Sequence, residues 1–126
     1  EGATALVYSR GSVPATTLGM LQKGMTSVTA ASKTTYTAVA GDQIVVDTVA
    51  NPVTITLPSS PAVGDEVTIM DGSASNGFAT NNCIIDRGGS NIEGAAANDT
   101  LATNNQCVTL IYANATKGWL YKSTNQ

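Results

Sequence analysis

The sequence predicts an all-β domain: a small β-sandwich or jelly-roll-like barrel of about eight short antiparallel strands, preceded by an extended N-terminal arm. Three observations predict it. From Tyr36 to Tyr121 the apolar runs are short, and each is closed by Gly, Pro, Asn or Asp. Val53-Thr54-Ile55-Thr56-Leu57 alternates apolar and polar residues without a break, the pattern of a strand with one buried and one wet face. After Thr26, no segment supports a helix longer than a single turn.

Residues 1–33 read as an arm or linker, and 34–126 as the β-domain. Ala5-Leu6-Val7-Tyr8 suits a short strand, but Gly11, Pro14 and Gly19 interrupt any regular element. Leu18, Met20, Leu21 and Met25 are apolar without a clean period, so the arm is expected to be ordered by docking. Thr26 to Tyr36 is rich in Thr and Ser and reads as an edge strand. Ile44-Val45-Val46-Asp47 is the next strand, after a Gly41-Asp42 turn; Asn51-Pro52 turns into Val53–Leu57. Pro58 and Pro61 end that strand, because neither donates to a ladder.

Gly64-Asp65 turns into Val67-Thr68-Ile69. Asp71 to Asn82 is a long loop, and Phe78 is the residue expected to pin it to the core. Cys83–Asp86 is a strand, Ile92-Glu93-Gly94 a short one, and Ala95 to Asp99 a loop. Val108, Leu110 and Tyr112 alternate with polar or outward positions, and Gly118–Tyr121 closes the sheet. Trp119 and Tyr112 are expected as large anchors, each with a polar tip that wants one partner. Asp42, Asp47, Asp65 and Asp86 stand at strand ends, where a short carboxylate accepts from turn amides. No internal repeat is visible.

At 126 residues the chain is one domain by length and long enough to bury a core without disulfides or metals. Charged residues are 12%, against about 25% in an average soluble domain, so Thr, Ser, Asn and Gln make the polar surface. Such a surface suits packing against copies or onto a larger assembly. The net charge of −3 and six scattered basic residues speak against nucleic acid as a partner. No apolar run reaches the length of about 18 residues that a membrane span needs, and no signal-peptide pattern opens the chain. It begins at Glu1, as a processed product or an ordered fragment of a longer protein would.

The chain contains no histidine, which removes Ser-His-Asp and Cys-His catalysis and the usual zinc sites. No phosphate-binding Gly-rich motif is present, and no cofactor is expected. Asp42 with Asp47, or Asp71 with Asp86, would be the carboxylate pairs for glycosidase chemistry, but turn capping is the simpler role for them. The Asp71–Asn82 loop lacks the Gly and Glu of an EF-hand; a surface calcium site from Asp71 and Asp86 is the residual metal reading. Cys83 and Cys107 occupy strand positions as small hydrophobes, or pair as a disulfide if their Cβ atoms come within about 4.5 Å. Asn98-Asp-Thr100 and Asn114-Ala-Thr116 match glycosylation sequons, which arise by chance in an Asn/Thr-rich chain.

The order of the pieces carries a resemblance. Tyr36, Gly41-Asp42, Val46-Asp47-Thr48, Thr54-Ile55-Thr56-Leu57-Pro58, Pro61, Gly64-Asp65, Ile69 and Asp71 begin it. Asn81-Asn82, Ile85-Asp86, Ile92-Glu93-Gly94, Leu110-Ile111-Tyr112 and Gly118-Trp119 complete it. This ordered set resembles the small β-domain of tailed-bacteriophage virion structural proteins, of the tail-fibre, baseplate and decoration type. The resemblance covers about two-thirds of the chain and leaves out the arm. It implies a non-enzymatic virion component that assembles through subunit contacts as a homotrimer; the apolar, aperiodic arm is expected to reach other virion proteins. The alternative is a carbohydrate- or receptor-binding β-module that touches host surface glycan through exposed aromatics. The interaction residues expected on these readings are Tyr8, Leu18, Met20, Leu21, Met25, Tyr36 and Tyr121.

Overall fold

A computed structural model describes residues 24–125. They form nine strands and no helix: β1 (Met25–Thr29), β2 (Thr35–Thr37), β3 (Gln43–Asp47), β4 (Val53–Thr56), β5 (Glu66–Asp71), β6 (Cys83–Asp86), β7 (Asp99–Leu101), β8 (Cys107–Asn114) and β9 (Gly118–Asn125). Two sheets share them, one in the order β1-β3-β5-β8-β9 and the other β2-β4-β6-β7. The fold is therefore all-β and sandwich-like, as the alternating runs predict.

The pairing is not the all-antiparallel one expected. β1, β3 and β5 are parallel to one another, and so are β2, β4 and β6; only β7, β8 and β9 pair antiparallel. The chain switches sheets after each of its first five strands, so it winds in coils. Met25 stands beside Gln43 and Thr35 beside Thr54, one coil further along. A parallel pair needs a crossover of about a dozen residues, and here a strand of the opposite sheet supplies it. Period-2 alternation marks one wet face but says nothing of strand direction. Parallel sheets usually read as continuous apolar runs because helices cover both faces; in this fold each sheet leaves its outer face to solvent.

The coils also carry a repeated corner. Val39-Ala40-Gly41-Asp42 and Ala62-Val63-Gly64-Asp65 make the same turn. In each, the Asp amide bonds the carbonyl three residues back (3.1 and 3.0 Å), and Asp Oδ2 accepts that residue's amide (2.9 and 2.8 Å). Gly41 (φ 89°) and Gly64 (φ 95°) sit where a type II turn demands a positive φ. The four strand-end aspartates all accept turn amides as expected: Asp47 from Val49 and Asp86 from Gly88 complete the set. The repeat escapes a plain reading because the two Gly-Asp corners do not sit side by side. Gly41 donates to Glu66, two residues past Gly64.

The core lies between the sheets. Val28, Ile44, Val46, Val67, Ile69, Val108 and Leu110 face inward from one, and Val53, Ile55, Cys83 and Ile85 from the other. Phe78 is fully buried and holds the Gly72–Asn82 loop to that core, and Trp119 is fully buried at the start of β9. Trp119 meets Tyr112 edge to face, ring centroids 5.6 Å apart, but among the described residues its indole Nε1 has no hydrogen-bond partner, contrary to expectation. Residues 25–33, expected within the arm, instead form β1 and the turn into β2, with Val28 in the core. The expected single edge strand over Thr26–Tyr36 is thus two edge strands in different sheets. Ile92 makes isolated bridges rather than a strand, and Asp99, expected as the end of a loop, opens β7.

Candidate functional site

Core-facing positions alternate along each strand, so a row of them crosses each sheet. At the two ends of the sandwich these rows end in polar residues. In the second sheet one row runs Tyr36, Ile55, Ile85, Asp99. Its first member, on β2, sends its hydroxyl to Oδ2 of buried Asp42 at 2.9 Å, and the Lys33 ammonium lies 5.6 Å from its ring centre. Its last member, on β7, accepts a short hydrogen bond from the hydroxyl of Tyr121 on β9. A Tyr–Asp bond therefore ties one sheet to the other at both ends. Each lets an open apolar seam finish in satisfied polar groups.

The Asp99 end is the more open. Between β7 and the β8–β9 hairpin lies a groove of about 340 Å³, lined by Asp99, Thr100, Leu101, Thr103, Gln106 and Tyr121 among others. Leu101 and Val108 are buried beneath it. Asp99 is held once more, its Oδ1 accepting the Thr100 amide at 2.8 Å, and Tyr121 is itself fixed by its amide bond to Glu93 Oε2 at 2.8 Å. Gln106 is 5% exposed and accepts the Thr103 amide on Oε1 at 3.3 Å. Burial, with the Asp99 acceptor and the nearby charges of Asp99 and Glu93, pushes the Tyr121 phenol well above its ordinary range, so it stays a neutral donor.

A smaller pocket of about 180 Å³ sits over the loop that Asp71 organises. Asp71 takes a core-facing register opposite Val46 at the end of β5. Its oxygens accept the amides of Ser73 (3.0 Å), Phe78 (3.1 Å) and Asn105 (3.0 Å). Burial works against the charged form, but the bonds from Ser73, Phe78 and Asn105 outweigh it and lower its pKa. A carboxylate surrounded by donors is an anchor for backbone, not the start of a cation site. Among the described residues no three His, Cys, Asp or Glu side chains gather as metal ligands. Asp42 and Asp47 likewise each serve their own turn.

Cys83 and Cys107 are not joined in a disulfide. Cys83 is fully buried, and burial, with the charge of Asp71, pushes its thiol up to about 12. Cys107 is half-buried on the outer side of β8, so only one of the two behaves as the expected core hydrophobe.

The structure does not bring the expected interaction residues together. Met25 is exposed (56%) at the start of edge strand β1, Tyr36 lies on edge strand β2, and Tyr121 on β9 at the opposite end. Tyr8, Leu18, Met20 and Leu21 lie outside the described residues. Asp99, Thr103 and Gln106 were not singled out by sequence reasoning. The available signal was Gln106 beside Cys107, a large amide at the entry to a strand. No protein-family model matches the chain, and no curated protein matches it.

Proposed function

We propose that this chain is a non-enzymatic structural component of a tailed-phage virion, a tail fibre, tail appendage or capsid decoration, that assembles through subunit contacts as a homotrimer. The observation that carries the reading is the chemistry of the outer faces. On the second sheet the outward positions are Thr35, Thr37, Thr54, Thr56, Ile84, Thr100 and a single charge, Asp86. On the first, Val45, Met70 and Cys107 form a half-buried row across three strands, and Asp47 with the Glu66–Lys122 pair are the charges beside it. The second face, with its single charge, is cheap to desolvate, because burying hydroxyls and methyls costs far less than burying ions. The ordered family-like pattern supports the same reading, and the lack of histidine favours a role without acid–base catalysis.

Light scattering coupled to size exclusion tests it. The full chain is expected at about three times its 12.8 kDa mass. A chain beginning at Gly24, which keeps β1, separates an interface on the sheets from one that needs residues 1–23. A monodisperse monomer of the full chain at micromolar concentration would refute assembly by self-contact.

A further inference from the structure

We propose that the groove between β7 and the β8–β9 hairpin binds a neutral saccharide of one or two rings. Its 340 Å³ lies at the lower end of the range for small-molecule sites, about 300–1,000 Å³. Saccharide hydroxyls need acceptors and donors side by side, and the lining offers both. Each Asp99 oxygen already accepts one bond, from Thr100 N on Oδ1 and from Tyr121 on Oδ2, and keeps a second lone pair. Gln106 spends its Oε1 on the Thr103 amide, which leaves its amide protons to donate. The Thr103 hydroxyl serves either role, and the half-buried Tyr121 ring, over the buried Leu101 and Val108, supplies the apolar surface that sugar C–H groups pack on.

Two features set the ligand class. Among the described residues no Lys or Arg lines the groove, and the one charge lining it is the Asp99 carboxylate. Phosphorylated sugars, sialic acid and uronic acids would meet an unneutralised negative charge and are rejected. The lining is also pre-organised. Asp99 is held by two donors, and Gln106 is nearly buried, so little side-chain freedom is lost on binding. The inference deepens the virion reading, since such a site would serve contact with a host surface, but the binding itself does not depend on that reading.

The test is a glycan array probed with the full chain. It carries neutral hexose and N-acetylhexosamine oligosaccharides, with sialylated and uronic-acid glycans for comparison. Binding to neutral glycans alone is expected. Thr103→Arg places a long side chain over the groove from an exposed position and is expected to cut that binding about ten-fold or more, with the melting temperature unchanged. Tyr121→Phe, which removes one hydroxyl, is expected to weaken it less. No neutral glycan bound, a preference for acidic glycans, or full binding by Thr103→Arg would each overturn the proposal. A trimer that binds no glycan fails this proposal and keeps the assembly reading; a monomer that binds does the reverse.

Discussion

Gly118→Ala tests how closely the backbone of β9 approaches the Asn91–Ala95 segment. Gly118 opens β9 with φ 70°. A Cβ built there lies 1.9 Å from the carbonyl oxygen of Asn91, 2.6 Å from its carbonyl carbon and 2.8 Å from its nitrogen. These are backbone atoms and cannot swing aside. The same oxygen accepts the Trp119 amide at 2.8 Å, and Glu93 N returns a bond to Trp119 O at 2.7 Å. An alanine must push the two segments apart. The left-handed conformation costs about 1–2 kcal/mol. Two strained or lost hydrogen bonds add about 0.5–1.5 kcal/mol each. The expected loss is thus about 2–5 kcal/mol, a large part of the ~5–15 kcal/mol that holds a domain together. Gly64→Ala is the matched comparison: its φ is 95°, yet nothing lies within 4 Å of the added Cβ. It carries the conformational cost alone, about 1–2 kcal/mol. Urea titration followed by the fluorescence of Trp119, the only tryptophan, reads both variants. Equal losses would show that the close approach to Asn91 does not matter, and would refute the reasoning.

Two further outcomes follow from the core and its polar anchors. Asp71→Asn is expected to cost about 1–3 kcal/mol near neutral pH, because the loop amides lose a charged acceptor. The Asp71 pKa is lowered by folding from 3.8, so its contribution is complete above that value and fades as pH falls through the lower folded value. Urea midpoints at about pH 6 and pH 2.5 should therefore differ more for the parent than for the variant, and an identical acid dependence would exclude Asp71 as the source. Trp119→Phe keeps a buried ring and discards an indole N–H that has no partner, so it should cost under about 1.5 kcal/mol, against about 3–5 kcal/mol for Trp119→Ala. Thermal melts by circular dichroism read both, and a Phe variant as unstable as the Ala one would contradict the absence of a bond.

Strand positions were legible where residues alternate. Val53–Leu57 shows its inward set directly, and Cys83–Asp86 matches β6 end to end. Phe78 and Trp119 were legible as core, being large residues beside turn signals. Strand direction was not, because alternation depends on which face is wet and is the same for parallel and antiparallel neighbours. β7 was missed since Asp99-Thr100-Leu101 is short and begins with a poor strand former that earns its place only by meeting Tyr121. The groove was hidden for a related reason. Tyr121 could be named as an aromatic near the end of the chain, but Asp99 and Gln106 join it only once the antiparallel β6–β7 pair and the β8–β9 hairpin are in place. The arm's share of the core was hidden because Val28 is the one buried residue of β1 and stands among Thr and Ser.

The unequal coils have a consequence for how such a protein can change over generations. Thr35 reaches its neighbour Thr54 after 19 residues, whereas Val53 reaches Cys83 after 30. The added length is shared by two corners, 57–65 between β4 and β5 and the longer 72–82 between β5 and β6, and the ladder on either side keeps its register. Loop closure grows dearer only slowly with length, by about 0.6 kcal/mol per doubling. The exposed tip Ala74-Ser75-Asn76, standing clear of the Asp71 and Phe78 anchors, is then where insertions accumulate at least cost. A lineage can grow new surface there, coil after coil, while the two sheets beneath stay as they are.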